Sequence, residues 1–217
     1  MRVAMRGFYA ILDAAPGELG DGAALRRRAE ALLAAGPCCL QLRAKTAGAA
    51  AMRDAGHVLL AACRAAGVAF CVNDRLDVAL AIGADVVHLG QDDLPLADAR
   101  RVLEMTGRAS MLVGISTHNL EQAAAAVAGG ADYIGFGPLF GTGSKENPDP
   151  VVGVDGLAAV CRAVDGRVPV VGIGGITLDR VPAVAAAGAS AAAVIAAVAR
   201  AVDPTAAGRA VAAAAWR

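Results

Sequence analysis

At 217 residues the chain is long enough for one large domain with a sizeable core. Its 20 basic and 20 acidic residues cancel and aromatics are only 3%, so neither a nucleic-acid surface nor a base-stacking platform is expected. Five cysteines (Cys38, Cys39, Cys63, Cys71 and Cys161) form no C-x-x-C pair and sit in or beside apolar runs, which reads as reduced core residues of a cytoplasmic protein.

The apolar start is too short for a signal peptide. The uncharged stretch 181–199 is mostly alanine and is broken by Pro182, Gly188 and Ser190, so no membrane span is expected. In chain order, strand-like runs fall at Phe8–Leu12, Cys38–Leu42, Val68–Val72, Val86–Leu89, Met111–Ile115, Tyr133–Phe136, Val168–Ile173 and Ala191–Ile195. Helical spacing fills the intervals: Leu19–Ala35, Ala47–Ala66, Arg75–Ile82, Leu96–Met105, Leu120–Ala128, Val154–Val164, Leu178–Ala187 and Val198–Trp216. Strands apolar on both faces and separated by helices imply a parallel sheet. Eight such units in this length favour an α/β fold, a single (β/α)₈ TIM barrel over residues 1–217.

In such a barrel, chemistry belongs at the C-terminal strand ends. After the second run, alternation puts Gln41, Arg43 and Lys45 on one face and Leu42 and Ala44 on the other. The polar three then point into the mouth, where two cations need anions, either from an ion-paired inner layer or from a ligand. The third and fourth runs end in Asn73-Asp74 and Gln91-Asp92-Asp93. If those strands are neighbours, Asp74 and Asp93 face each other across about one strand spacing, roughly 5 Å. Such paired carboxylates suit Mg²⁺.

His88 is equally a packed or a catalytic histidine. Ser116 either touches ligand or, with Thr117, caps the next helix near Glu121; His118 is expected to be exposed. The loop Gly137–Gly153 offers glycines, hydroxyls and Lys145, a phosphate-holding composition without P-loop order. Gly172-Ile-Gly174-Gly175 after the seventh run, with free amides near Ile195-Ala196, suits a second phosphate. The residues therefore predict a Mg²⁺-bound pyrophosphate and a separate monophosphate around one mouth, as in a transferase that displaces pyrophosphate.

The pieces QLRAK (41–45), VNDR (72–75), HLGQDDLP (88–95), GIST (114–117), GPLFGTGSK (137–145), GIGGI (172–176) and VIAAV (194–198) resemble the thiamine-phosphate synthase family, in its order and over nearly the whole chain. The resemblance implies a (β/α)₈ enzyme that joins 4-amino-2-methyl-5-(diphosphooxymethyl)pyrimidine to a thiazole phosphate, plain or carboxylated, releasing pyrophosphate. By it, Gln41, Leu42, Arg43, Ala44, Lys45, Asn73, Ser116 and Lys145 hold the pyrimidine pyrophosphate. Arg43, Lys45, Ser116 and Lys145 among these are catalytic. Asp74 and Asp93 bind one Mg²⁺ per subunit. Thr142, Gly143, Ser144, Gly175, Ile195 and Ala196 hold the thiazole phosphate. The implied partners are two small phosphorylated substrates, with neither nucleic acid nor membrane, and a homo-oligomer is compatible with the sequence.

Two positions depart from the family pattern: Ala196 stands where serine is usual, and Gly141 where proline is common. A thiazole tautomerase-like isomerase or an inactive phosphate-binding paralogue would share the fold, but neither needs both the QLR-x-K and GQ-x-D sets.

Overall fold

The computed structural model describes residues 4–141 and 149–216. The strands are β1 Gly7–Asp13, β2 Cys39–Arg43, β3 Ala69–Asn73, β4 Val86–Leu89, β5 Leu112–Thr117, β6 Tyr133–Phe136, β7 Val170–Ile173 and β8 Ala191–Val194. They pair in parallel in sequence order, and β8 returns to β1 to close the barrel. The helices are α1 Gly22–Leu33, α2 Ala49–Ala66, α3 Leu76–Ile82, α4 Leu96–Met105, α5 Leu120–Ala128, α6 Gly153–Val164, α7 Val181–Ala186, α8 Ala196–Ala199 and α9 Pro204–Ala212. Among the described residues no helix is long and apolar enough to cross a membrane.

Period-2 alternation divides the apolar residues into two cores. Phe8, Leu40, Phe70, Val87, Val113 and Ile134 face out and bury against the helices. Their neighbours Tyr9, Cys39, Ala69, Cys71, Val86, Tyr133, Val171 and Ala191 face in and fill the barrel floor. Each large side chain removed from water contributes about 1.5–3 kcal/mol, so closure is driven from both faces of the sheet. Cys39, Cys63 and Cys71 are buried, Cys38 and Cys161 are partly so, and all five are free thiols.

Three expected elements differ. The first helix starts at Gly22, where the Asp21 carboxylate accepts from the Ala24 amide, after a separate 3₁₀ turn at Pro16–Glu18. The expected seventh helix is a 3₁₀ turn, Leu178–Arg180, followed by α7. The expected final helix is two, α8 and α9. Pro204 has no N–H with which to continue a helix, and Asp203 caps a new one by accepting from the Ala206 amide.

Candidate active site

The acidic pair is assembled by the register of two neighbouring strands. β3 and β4 pair with Asn73 opposite His88, so the residues that follow each strand emerge at the same end of the barrel. Asp74 takes a left-handed backbone, φ 62°, and its amide donates to the His88 carbonyl at 2.8 Å. Such a conformation is uncommon in a non-glycine residue and recurs at functional sites. Asp93 folds back on its own loop, and its Oδ2 accepts from the Gly90 amide at 2.6 Å.

The Asp74 and Asp93 carboxyls lie close enough to perturb each other. Burial, more than any other cause, raises the Asp93 pKa; the neighbouring Asp74 carboxyl raises it further, while the Gly90 amide and Lys45 oppose. Asp92 is exposed. Among the described residues no group of three or more His, Cys, Asp or Glu could hold a metal. Asp74 and Asp93 together would offer a cation two carboxylates, oxygen ligands of the kind that Mg²⁺ accepts.

β2 brings up the cations. Gln41 points into the barrel, while Leu42 and Ala44 are buried among the helices, so the side chains of the latter two turn away from the mouth. Arg43 Nη1 lies 2.7 Å from Asp13 Oδ1, and Lys45 Nζ lies 3.1 Å from Asp74 Oδ2. The anions required by Arg43 and Lys45 are thus supplied, at least in part, by the chain. Asp13 was not singled out from the sequence, although alternation along Tyr9, Ile11 and Asp13 would have found it: the register sets Asp13 opposite Arg43. Partly exposed ion pairs of this kind contribute little and exchange readily for a better anion.

Asn73 is buried. Ser116 lies within β5 and is not a helix cap; that role belongs to Asn119, whose side chain accepts from the Gln122 amide. Ser116 Oγ lies 2.9 Å from His88 Nε2, and the Ser116 carbonyl accepts from Gln91 Nε2 at 2.5 Å. Burial lowers the His88 pKa to about 4, so the ring is neutral at pH 7. His118, expected to be exposed, is instead half-buried. Its Nδ1 lies 2.6 Å from the Gly137 carbonyl and its Nε2 3.4 Å from Asp149 Oδ2.

Four strands around the ring from the acidic pair lies the β7–β8 end. The Leu139 and Phe140 amides donate to the Ile173 and Gly174 carbonyls at 2.9 and 3.0 Å, seating the start of the sixth loop along β7. Gly175 has φ 62°, and a Cβ there would lie 2.4 Å from the Gly141 oxygen. Its glycine is demanded by this close approach. Arg180, another residue the sequence did not flag, stacks 4.4 Å from the Phe140 ring centre and donates to the Gly175 carbonyl at 2.8 Å. Beyond β8, α8 begins at Ala196 with Ile195 at its N-cap, presenting backbone amides at the mouth. Thr142, Gly143, Ser144 and Lys145 lie outside the described residues.

This geometry can be set beside known proteins. The family model described as thiamine monophosphate synthase matches residues 8–198. A thiamine-phosphate synthase of Anaeromyxobacter dehalogenans is 46% identical over 206 residues, covering 95% of this chain and 86% of that protein. One from Roseiflexus castenholzii is 49% identical over 180 residues, covering 83% and 76%. The solved thiamine phosphate pyrophosphorylase from Pyrococcus furiosus superposes with a TM-score of 0.81 at 32% identity, over 96% of this chain and 94% of that one. The chain belongs to the thiamine monophosphate synthase family.

Proposed function

We propose that the protein is a transferase of thiamine biosynthesis. It condenses 4-amino-2-methyl-5-(diphosphooxymethyl)pyrimidine with 4-methyl-5-(2-phosphooxyethyl)thiazole, or its carboxylated form, to give thiamine phosphate and pyrophosphate. The observation that carries this reading is the convergence of Asp74, Asp93, Lys45, Arg43 and Ser116 on one side of a barrel mouth whose opposite side presents the β7–β8 amides. One side meets a metal-bound leaving group; the other meets a second phosphate.

In this reading Asp74 and Asp93 hold Mg²⁺, which when bound supplies positive charge to the departing pyrophosphate. Arg43 and Lys45 turn from Asp13 and Asp74 towards the phosphate oxygens. Charge that develops on the leaving group is then met by groups already in place, the largest source of acceleration in most such sites. Gln41, Asn73 and Ser116 orient the pyrimidine. Gly175, Ile195 and Ala196 receive the thiazole phosphate through backbone amides, with Thr142, Gly143 and Ser144 from the sixth loop, and Lys145 adds a further cation to the pyrophosphate. Bond breaking precedes bond making: the CH₂–O bond breaks with its electron pair leaving on pyrophosphate, and the thiazole nitrogen captures the aminopyrimidine-stabilised cation left behind.

Incubation of the purified protein with both substrates and Mg²⁺ tests this directly. Thiamine phosphate and pyrophosphate are expected in equal amounts, and only when all three components are present. Consumption of the thiazole alone to an isomer, or no turnover, would reject the assignment.

A further inference from the structure

Above the apolar floor of the barrel, five polar side chains from five strands touch in series. Gln41 Nε2 donates to Tyr9 Oη at 3.0 Å, and Tyr9 Oη lies 3.0 Å from Tyr133 Oη. Tyr133 Oη lies 3.0 Å from His88 Nδ1, and His88 Nε2 lies 2.9 Å from Ser116 Oγ. Both tyrosines are almost wholly buried. Room for them is built into the neighbouring strands: a Cβ on Gly114 would lie 2.1 Å from the Tyr133 ring, and one on Gly135 would lie 3.2 Å from His88 Cε1. Barrel interiors are usually filled with branched apolar side chains, and a buried polar chain is tolerated only when every member is satisfied.

Donor counting gives the chain a direction. The Cys71 thiol donates to the Val72 carbonyl, so its sulfur accepts from Gln41, which turns the Gln41 amide nitrogen towards both Cys71 and Tyr9. Tyr9 accepts from Gln41 and passes its own hydroxyl hydrogen to Tyr133, which passes its own to His88 Nδ1. A neutral ring that accepts at Nδ1 carries its hydrogen on Nε2, and it donates that hydrogen to Ser116. The reverse polarity would leave the Tyr9 hydroxyl only the Cys71 and Cys39 sulfurs, weak acceptors.

We propose that this chain, polarised from Gln41 through Tyr9, Tyr133 and His88, keeps Ser116 accepting on the barrel side so that its own hydroxyl donates towards the pyrimidine pyrophosphate. Tyr133, Tyr9 and His88 are then positioning residues acting through Ser116, and the substrate atom opposite Ser116 is a hydrogen-bond acceptor. The inference rests on the functional reading above.

Two measurements test it. Nitrogen-15 NMR of the free protein reads the His88 tautomer without any substrate. The Nε2–H form is expected, and an Nδ1–H ring overturns the proposal. A double-mutant cycle then asks whether Tyr133 works through Ser116. Tyr133→Phe keeps the ring and removes only the hydroxyl, and a loss of roughly tenfold in kcat/KM is expected, the usual scale for one buried hydrogen bond. In a Ser116→Ala background the same change should alter kcat/KM less than about twofold, since a residue acting through Ser116 has nothing left to position. Equal losses in both backgrounds overturn the proposal. Tyr9→Phe is read in the same cycle, so a failure of Tyr133→Phe to fold does not remove the test. If the wild type makes no thiamine phosphate, the functional reading fails, and the tautomer alone still decides the chain's direction.

Discussion

Replacing Asp93 with asparagine separates what this residue does for the fold from what it does for the reaction. The Asp93 pKa is raised in the folded protein, first by burial and then by Asp74. A carboxyl raised in this way favours the fold while protonated. That contribution is complete below the unfolded pKa near 3.8 and is lost as pH rises through the folded value. At neutral pH the charge is therefore a liability. Two like charges about 4 Å apart cost between ~1 kcal/mol in water and ~4 kcal/mol near a protein surface. Partial exposure and the Lys45 ammonium, 3.1 Å from Asp74, push the figure to the low end, about 1 kcal/mol.

Asparagine keeps an oxygen to accept from the Gly90 amide, so Asp93→Asn should stabilise the metal-free protein at pH 7 by about that amount. In a domain of this size the melting temperature rises roughly 2–4 °C. The same change removes one of the two proposed metal ligands and should abolish Mg²⁺-dependent turnover. Thermal denaturation with and without Mg²⁺ and pyrophosphate, beside an activity assay, reads both effects. The wild type should gain stability from the two ligands and the variant should not. A variant that melts lower by a similar margin, or that keeps its Mg²⁺-dependent activity, refutes the reasoning.

Further expectations follow from individual contacts. Arg43→Ala should raise KM for the pyrimidine pyrophosphate by about tenfold to a hundredfold, the scale of a lost charge-assisted bond, and leave KM for the thiazole within about twofold; steady-state kinetics with each substrate varied in turn checks the partition. Gly175→Ala forces a Cβ to within 2.4 Å of the Gly141 oxygen at φ 62° and should destabilise by about 1–3 kcal/mol in urea titrations while raising KM for the thiazole. Ala196→Ser adds a hydroxyl at the start of α8; on the proposal that backbone amides hold the thiazole phosphate, KM for the thiazole should change less than about twofold. His88 falls from 6.5 unfolded to about 4 folded, so stability present above pH 6.5 should drain by roughly 3 kcal/mol as pH drops through 4. Urea midpoints against pH should show that slope, and His88→Asn should lose it.

The parts of this molecule that read correctly from sequence rest on local periodicity. The β4 and β6 boundaries follow from uninterrupted apolar runs, and alternation over 41–45 separates the inward Gln41 and Arg43 from the outward Leu42 and Ala44. Asp74 and Asp93 were legible as a pair because one short βαβ unit brings them together. What escaped depends on closure of the ring. Tyr9 and Tyr133 touch across 124 residues, and neither carries a local mark of a polar role in runs that otherwise read as plain core. Asp13, just beyond the run Phe8–Leu12, was not singled out, and only the register sets it opposite Arg43. The break between α8 and α9 was legible in principle from Pro204, and the continuous alanine pattern on either side outweighed it.

The most direct measurement of the central claim is diffraction from crystals grown with Mn²⁺ in place of Mg²⁺, pyrophosphate and the thiazole phosphate. The anomalous signal is expected between the Asp74 and Asp93 carboxylates, with pyrophosphate against Arg43 and Lys45 and the second phosphate across the mouth at Gly175 and Ala196. A metal bound elsewhere, or both phosphates on the same side of the barrel, would contradict it.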